Sequence, residues 1–449
     1  MWQCRTAASD MPSAEMNRRE KMMKDSKVLK EELLQGKYES LFLDIYQDEN
    51  EAKRQNTRYA QAVEKFEELF GEKQVEVYSA PGRSEVGGNH TDHQHGMVLA
   101  TSINLDAIAI VSPTDSPVVQ VVSEGYDMVE VDTGDLEEKY EEEGTTAALI
   151  RGAAAALTEK GYKIGGFQAY ITSDVLIGAG LSSSAAFEVI IGTIISGLFN
   201  NMEIDPVEIA KAGQYAENVY FGKPCGLMDQ MASAVGGLIH IDFKDPQVPT
   251  VKKVPSDFQA YQYSLCIVDT KASHANLTDD YAKIPEEMQK VAAFFKKKVL
   301  REVDEEEFFQ EIPGLRSILG DRPVLRALHF FEEEKRVEKQ VEALEKGDFP
   351  GFLELVKESG NSSFKYLQNI YINRDEQNQS MSIALGASES ILQKHGVSRV
   401  HGGGFAGTIQ VFVENSYVED YRKKIDHIFG KGSCHVLKVR QQGGIKVIG

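Results

Sequence analysis

Hydrophobic and polar positions alternate with two periods along this chain. Over residues 56–71 the apolar side chains Tyr59, Val63, Phe66 and Phe70 recur at helical spacing and stop at a glycine, which predicts an amphipathic helix. Residues 75–79, 103–111, 118–122 and 128–131 are short β-branched runs between turn residues, so the first third reads mostly as sheet. An Ala-rich helix is predicted over 145–161 and a strand over 167–172. Residues 182–199 are apolar on nearly every side, the pattern of a buried helix. Pro206 opens a further helix to about Tyr220, and 237–243 predicts a strand.

The second half reads as a strand at 263–268, charged helices between 279 and 395, a strand at 409–413, a helix at 417–429 and a strand at 434–439. The Pro-containing stretch 244–255 is the expected boundary between two lobes. Residues 1–50 read as a poorly ordered or peripheral leader with no folding role, and no apolar segment marks a signal peptide. The acidic run 302–307 predicts a solvated helix face.

Composition narrows the function classes. With 449 residues the chain can build a full core in two or three domains. Lys and Arg number 49 against 69 Asp and Glu, a formal charge of −20, which argues against a nucleic-acid binder. At 42 % hydrophobic and 26 % charged it reads as a folded enzyme or binding protein. Cys4, Cys225, Cys266 and Cys434 form no C-x-x-C pair, so neither a zinc site nor a disulfide framework is suggested, and a reducing cytoplasm is expected. No uninterrupted apolar run is long enough to predict a membrane helix.

Four segments carry candidate chemistry. The first is Gly178-Ala179-Gly180-Leu181-Ser182-Ser183-Ser184, between a strand and the buried helix. Its glycines allow close backbone approach and the helix start offers free N–H groups, so it can hold phosphate; a tight turn with a serine cap is the plain alternative. It lacks the lysine of a P-loop. The second is Ala80-Pro81-Gly82-Arg83 followed by Asn89-His90-Thr91-Asp92-His93. Its donors and acceptors suit a polyhydroxylated ligand, with a metal site or a hydrophilic turn as alternatives. The third is Cys225-Gly226-Leu227-Met228-Asp229-Gln230, where Asp229 is either a general base or orienting group, or a helix cap. Glu217, one helix earlier, could contribute to a magnesium site. The fourth is His401-Gly402-Gly403-Gly404-Phe405-Ala406-Gly407, whose glycines imply close approach of substrate, nucleotide or another strand.

Taken in order, the A-P-G-R … H-T-D, G-x-G-L-S-S-S-A, G-x-M-D-Q and G-G-G-F blocks resemble the galactokinase branch of the GHMP small-molecule kinases, from about Ala80 to the terminus. The resemblance implies an α+β fold of two lobes, residues 51–245 with the phosphate and sugar loops and 256–449 as the second lobe, with the active site in the cleft between them. It implies ATP and Mg²⁺, the nucleotide phosphates at Gly178, Gly180, Leu181, Ser182, Ser183 and Ser184, and the metal at Ser183 and Glu217. It further implies Asp229 and Arg83 as the catalytic pair, and Asn89, His90, Asp92 and Tyr281 as sugar contacts. The implied activity is an ATP-dependent sugar 1-kinase, most often on galactose. A kinase for galacturonate or N-acetylgalactosamine, or a silent sugar sensor, is the alternative. The expected partners are sugar and ATP, with no nucleic acid and no membrane; the sequence leaves the oligomeric state open, with a monomer favoured.

The chain departs from the family pattern where Gly88-Asn89-His90-Thr91-Asp92-His93 replaces G-E-H-T-D-Y. An amide can accept from a hydroxyl or donate to a carboxylate, so Asn89 is expected to read the C6 end of the sugar. Ala406 also stands where the family has glycine.

Overall fold

The computed structural model describes residues 23–176, 180–255, 257–272, 277–372, 374–405 and 407–449. Among them, two long strands form the spine: β2 (Gln74–Gly87) and β3 (Met97–Pro113), antiparallel along almost their whole length. With β1 (Lys24–Asp25), β4 (Val118–Ser123), β5 (Val129–Asp132), β6 (Phe167–Ser173), β7 (Leu238–Asp242), β8 (Thr250–Val254) and the C-terminal Ile445–Ile448 they make a nine-stranded sheet. Its main order is β1-β2-β3-β6-β4-β5, and only the β4–β6 pair is parallel. The second sheet has four antiparallel strands: β9 (Tyr263–Asp269), β10 (Gly396–Val400), β11 (Thr408–Glu414) and β12 (Cys434–Leu437). The C-terminal Ile445–Ile448 is β13.

Helices cover both faces of the first sheet, which is why its strands read as continuous apolar runs. Tyr78, Ala80, Ala107, Ala109 and Val111 point to one side, against α4 (Thr146–Glu159), α5 (Ser183–Asn200), α6 (Pro206–Tyr215) and α7 (Met228–Val235). Val75, Val77, Ile108 and Ile110 point to the other, against α1 (Ser26–Leu34), α2 (Glu39–Tyr46) and α3 (Glu49–Phe70). Leu29, Leu33, Phe42, Ile45 and Tyr46 are all buried there, so from Met23 onward the expected loose leader is instead a packed layer. Its apolar stripes are short and separated by Lys and Glu, which hides them from a periodicity reading. Residues 1–22 lie outside the described residues.

Helix α5 is long and apolar enough to cross a membrane, but 72 % of that window is buried inside the fold, as a core helix requires.

The lobe boundary also differs from expectation. Within 244–255, β8 pairs with β7 and extends the first sheet. The terminus returns to the first lobe, where β13 pairs with β2. The two lobes share apolar contacts where Val86, Met97, Leu99 and Leu238 of the first sheet meet Leu265, Phe349, Phe352 and Phe412. The rest of the second lobe is helical, chiefly α8 (Thr278–Phe294), α9 (Glu305–Leu319), α10 (Asp321–Glu345), α11 (Phe349–Ser362), α12 (Ser380–Leu392) and α13 (Val418–Phe429).

Candidate active site

Register shifts in the β2–β3 pairing at Pro81/Arg83 and Glu85/Gly87 bend the spine where the lobes meet. The bend turns Arg83 into a cleft of about 570 Å³. Gly82 makes the turn possible: a Cβ there would lie 2.8 Å from the Leu181 carbonyl, so only glycine lets the phosphate-type loop dock on β2. The Arg83 backbone N–H then donates to that carbonyl at 3.1 Å.

The guanidinium of Arg83 grips Asp229 in a two-pronged pair, Nε to Oδ1 at 2.7 Å and Nη2 to Oδ2 at 2.6 Å. Ser182 donates its hydroxyl to Asp229 Oδ2, and Arg83 also donates to the Gly180 carbonyl. Ser182 sits in the left-handed region at φ +57°, a strained conformation for serine that aims the hydroxyl at Asp229 rather than at the helix end it precedes. Burial alone would raise the Asp229 pKa. The Arg83 charge and the hydrogen bonds from Arg83 and Ser182 outweigh it and hold the carboxyl below its usual range. Asp229 is therefore a carboxylate at neutral pH, in the first turn of α7.

Gly180, Leu181, Ser182, Ser183 and Ser184 line the same cleft, with α5 starting at Ser183 and presenting its N-terminus there. Gly178 lies outside the described residues, as does Ala406. Glu217 rides on a π-helical turn, Ala216–Tyr220, a distortion common at functional sites. Its carboxylate accepts from Lys223 Nζ at 2.9 Å and from Gln230 Nε2 at 3.1 Å. Gln230 Nε2 also donates to Glu188 at 2.9 Å, while the second Glu188 oxygen is buried with no hydrogen-bond partner. Burial first, then the Glu217 charge, drives the Glu188 pKa well up. Among the described residues no cluster of three or more Asp, Glu, His or Cys side chains is arranged for a metal. The donors that are present, one carboxylate and a serine hydroxyl beside a phosphate loop, fit Mg²⁺, which keeps few protein ligands and completes its shell with substrate phosphates and water.

The sugar-loop residues Asn89, His90 and Asp92 line the cleft with Tyr281 of α8, whose ring meets the His90 ring edge-on at 5.2 Å. His90 Nε2 lies 3.0 Å from the Gly403 carbonyl; since a carbonyl only accepts, Nε2 carries the proton and Nδ1 is an acceptor. Burial, reinforced by His93, lowers the His90 pKa to about 3, so the ring is neutral. Gly226 makes room for Asp92: a Cβ there would fall 2.1 Å from Asp92 Oδ2.

The role expected of Asn89 is corrected. Its Nδ2 donates to Glu85 Oε1 at 3.1 Å and to the Gly402 carbonyl at 2.7 Å, and its Oδ1 accepts from Asn369 at 2.9 Å and Ser363 at 3.2 Å. Those four bonds exhaust an amide, leaving nothing with which to read a sugar's C6 end. Asn89 instead braces the sugar loop against the glycine loop and the second lobe, and Glu85 in turn is held by Arg399 at 2.6 Å. Asn89→Glu would set a second buried carboxylate against Glu85. We expect it to lose about 3 kcal/mol or more of stability and to lower sugar kcat/KM, measured by urea unfolding and steady-state kinetics. A variant of parental stability with improved galactose use would contradict this.

Sequence reasoning missed Lys223, a cation in the cleft wall five residues before the G-x-M-D-Q block's methionine, and Glu85, hidden because its cationic partner Arg399 is remote in sequence. His401 is structural, its ring nitrogens bonded to Ser84 at 3.1 Å and Thr408 at 3.0 Å.

A carboxylate locked to an arginine beside a serine-rich loop at a helix start, all in an interlobe cleft, suits the handling of a phosphoryl group. Residues 148–237 match the family described as GHMP kinases N terminal domain, and residues 64–113 match the Galactokinase galactose-binding signature. A galactokinase from Streptomyces coelicolor is 32 % identical over 84 % of this chain and 94 % of its own length, and one from Actinobacillus pleuropneumoniae is 33 % identical over 81 % and 92 %. The structure of Lactococcus lactis galactokinase complexed with galactose superposes with a TM-score of 0.73 at 24 % identity, covering 87 % of this chain and all of that one. A mevalonate kinase structure shares the fold at a TM-score of 0.55 and 16 % identity, over 81 % of this chain and 99 % of that one. The chain belongs to the galactokinase family, and is a sugar kinase.

Proposed function

We propose that this chain transfers the γ-phosphoryl group of ATP to the anomeric hydroxyl of galactose, yielding galactose 1-phosphate and ADP. The observation that carries the reading is the Arg83–Asp229 pair facing the Gly180–Ser184 loop across one cleft. Phosphoryl transfer needs positioning and charge neutralisation more than covalent help. The N-terminus of α5 and the backbone of residues 180–184 receive the nucleotide phosphates. Ser183 and Glu217 would hold Mg²⁺, which when bound neutralises phosphate charge. Asp229 accepts a hydrogen bond from the attacking hydroxyl and orients it. Because its pKa is held low, it is a weak proton acceptor until the new P–O bond is forming, so its first role is electrostatic positioning. Arg83 keeps Asp229 ionised. His90 Nδ1 and Asp92 accept from ring hydroxyls, and the Tyr281 ring closes the sugar side.

With both Asn89 N–H groups engaged by Glu85 and Gly402, none is left for a uronate carboxylate, and galactose is favoured. Purified protein incubated with ATP, Mg²⁺ and a panel of galactose, galacturonate, N-acetylgalactosamine and glucose is expected to release ADP fastest with galactose. Absence of turnover on every sugar would refute the reading.

A further inference from the structure

A second cavity, of about 530 Å³, lies in the second lobe behind the sugar side of the cleft. Lys283, Arg322, Arg326, Lys365 and Arg374 line it, against a single lining carboxylate, Asp280. Behind the lining, Glu287 holds Arg322 at 3.0 Å and Arg326 at 2.9 Å, and Asp279 and Asp375 act on Arg374 from the rim, so five cations face four carboxylates. On a chain of net charge −20 such an excess of positive charge is a local exception. Arg326 is 2 % exposed, and burial lowers its pKa, an effect Arg322 reinforces and Glu287 only partly offsets. A guanidinium in that position gains from an anion. The remaining wall is mostly apolar, with the Phe364 and Tyr371 rings 5.8 Å apart and tilted by 54°, and Phe405, Ile370 and Ile372 beside them.

We propose that this cavity is a regulatory site for a phosphate monoester of a sugar. Arginine forks match phosphate oxygens in pairs, a phosphoryl group carries close to two negative charges at neutral pH, and the aromatic wall suits the face of a sugar ring. The volume lies in the range of small-ligand sites.

The two cavities share their partition. Asp280 lines this one and Tyr281, the next residue of α8, lines the sugar cleft. Phe405 lines this one, while Gly402 and Gly403 of the same loop line the other. Asn369 spans the partition, donating to Asn89 Oδ1 at 2.9 Å and to the Gly403 carbonyl at 3.2 Å, and accepting from the Phe405 N–H at 2.5 Å. Arg374 and Lys283 now bond Asp280. A phosphoryl group that drew them away would loosen the first turn of α8, next to Tyr281, and so change sugar affinity.

The test is calorimetric titration of the full chain with glucose 6-phosphate, beside inorganic phosphate and sulfate at matched ionic strength. The parent and Asp229→Asn are expected to bind one equivalent of the monoester. Lys365→Glu, an exposed change, and the double variant Arg322→Glu/Lys365→Glu are expected to bind at least tenfold more weakly while keeping the parental kcat without ligand. Saturating monoester should shift sugar KM at least twofold in the parent and not in the double variant. No saturable binding, equal binding by Lys365→Glu, binding abolished by Asp229→Asn, equal affinity for inorganic phosphate or sulfate, or an unmoved KM would each overturn the proposal.

Discussion

Asp229→Asn is expected to cut kcat by a factor of 10³ or more, with sugar KM changed less than threefold. The amide keeps the shape of the carboxylate but loses the charge that Arg83 holds in place and that, in the proposed reaction, orients the attacking hydroxyl. Removing one preorganised electrostatic partner of a transition state costs about 3–4 kcal/mol, and loss of the proton acceptor adds to it. A fall in kcat with little change in KM marks an interaction made in the transition state rather than in binding. The pH profile adds a sign. Because the Asp229 pKa is depressed below 3.8, its ionised form persists at every pH above that value, and its protonation gives kcat no limb near neutrality. Steady-state ADP release from pH 5 to 9 checks both parts; a tenfold or smaller loss in kcat would remove Asp229 from the chemistry.

The second large effect is on stability. Asp106→Ala is expected to lose about 3–5 kcal/mol, the cost of leaving buried charge without its partner. Asp106 is wholly buried in β3 and receives Arg58 at 2.7 Å, Arg440 at 2.9 Å and the Tyr46 hydroxyl at 2.7 Å. It joins α2, α3, the central sheet and the C-terminal segment, so its removal leaves the buried Arg440 without a carboxylate and Arg58 with Asp174 at 3.1 Å. Burial alone would raise the Asp106 pKa, but Arg58 and Arg440 outweigh it and lower it. Glu333 is likewise lowered, to about 2: burial opposes the shift, and Arg336, His329 and Arg399 prevail. A depressed folded-state pKa stabilises fully above the unfolded value and less as pH falls through the folded one. Stability in the parent should therefore decline below about pH 4.5, towards pH 2, and Asp106→Ala should show a shallower decline. Urea midpoints at pH 7, 5, 4 and 3 test this; an unchanged midpoint for the variant at pH 7 would contradict the network's role.

Much of the cleft is legible from residue order because its chemistry is carried by short blocks. Arg83, Ser182 and Asp229 each sit beside glycines that announce close backbone approach, and the structure brings them to within hydrogen-bond reach. Asn89 was misread because its partners, Glu85 apart, lie hundreds of positions away, at Ser363, Asn369 and Gly402. No local pattern reports whether an amide's bonds are already taken. The packing of α1 and α2 was hidden for a related reason: Leu29, Leu33 and Phe42 are too few to announce a core without the sheet face that receives them.

By itself the amino-acid order determined the period of α3 and of strands such as β6, β9 and β11, the burial of the helix after Ser182 and the four glycine-flanked blocks, because local backbone preference and side-chain spacing act over a few residues. The tertiary structure alone decided which charges are matched and which amides are spent, where Lys24–Asp25 and Ile445–Ile448 join the central sheet, and that five basic side chains share one cavity. Those outcomes depend on pairings between distant segments, whose energies arise only when desolvated groups meet, and no stretch of sequence contains both partners.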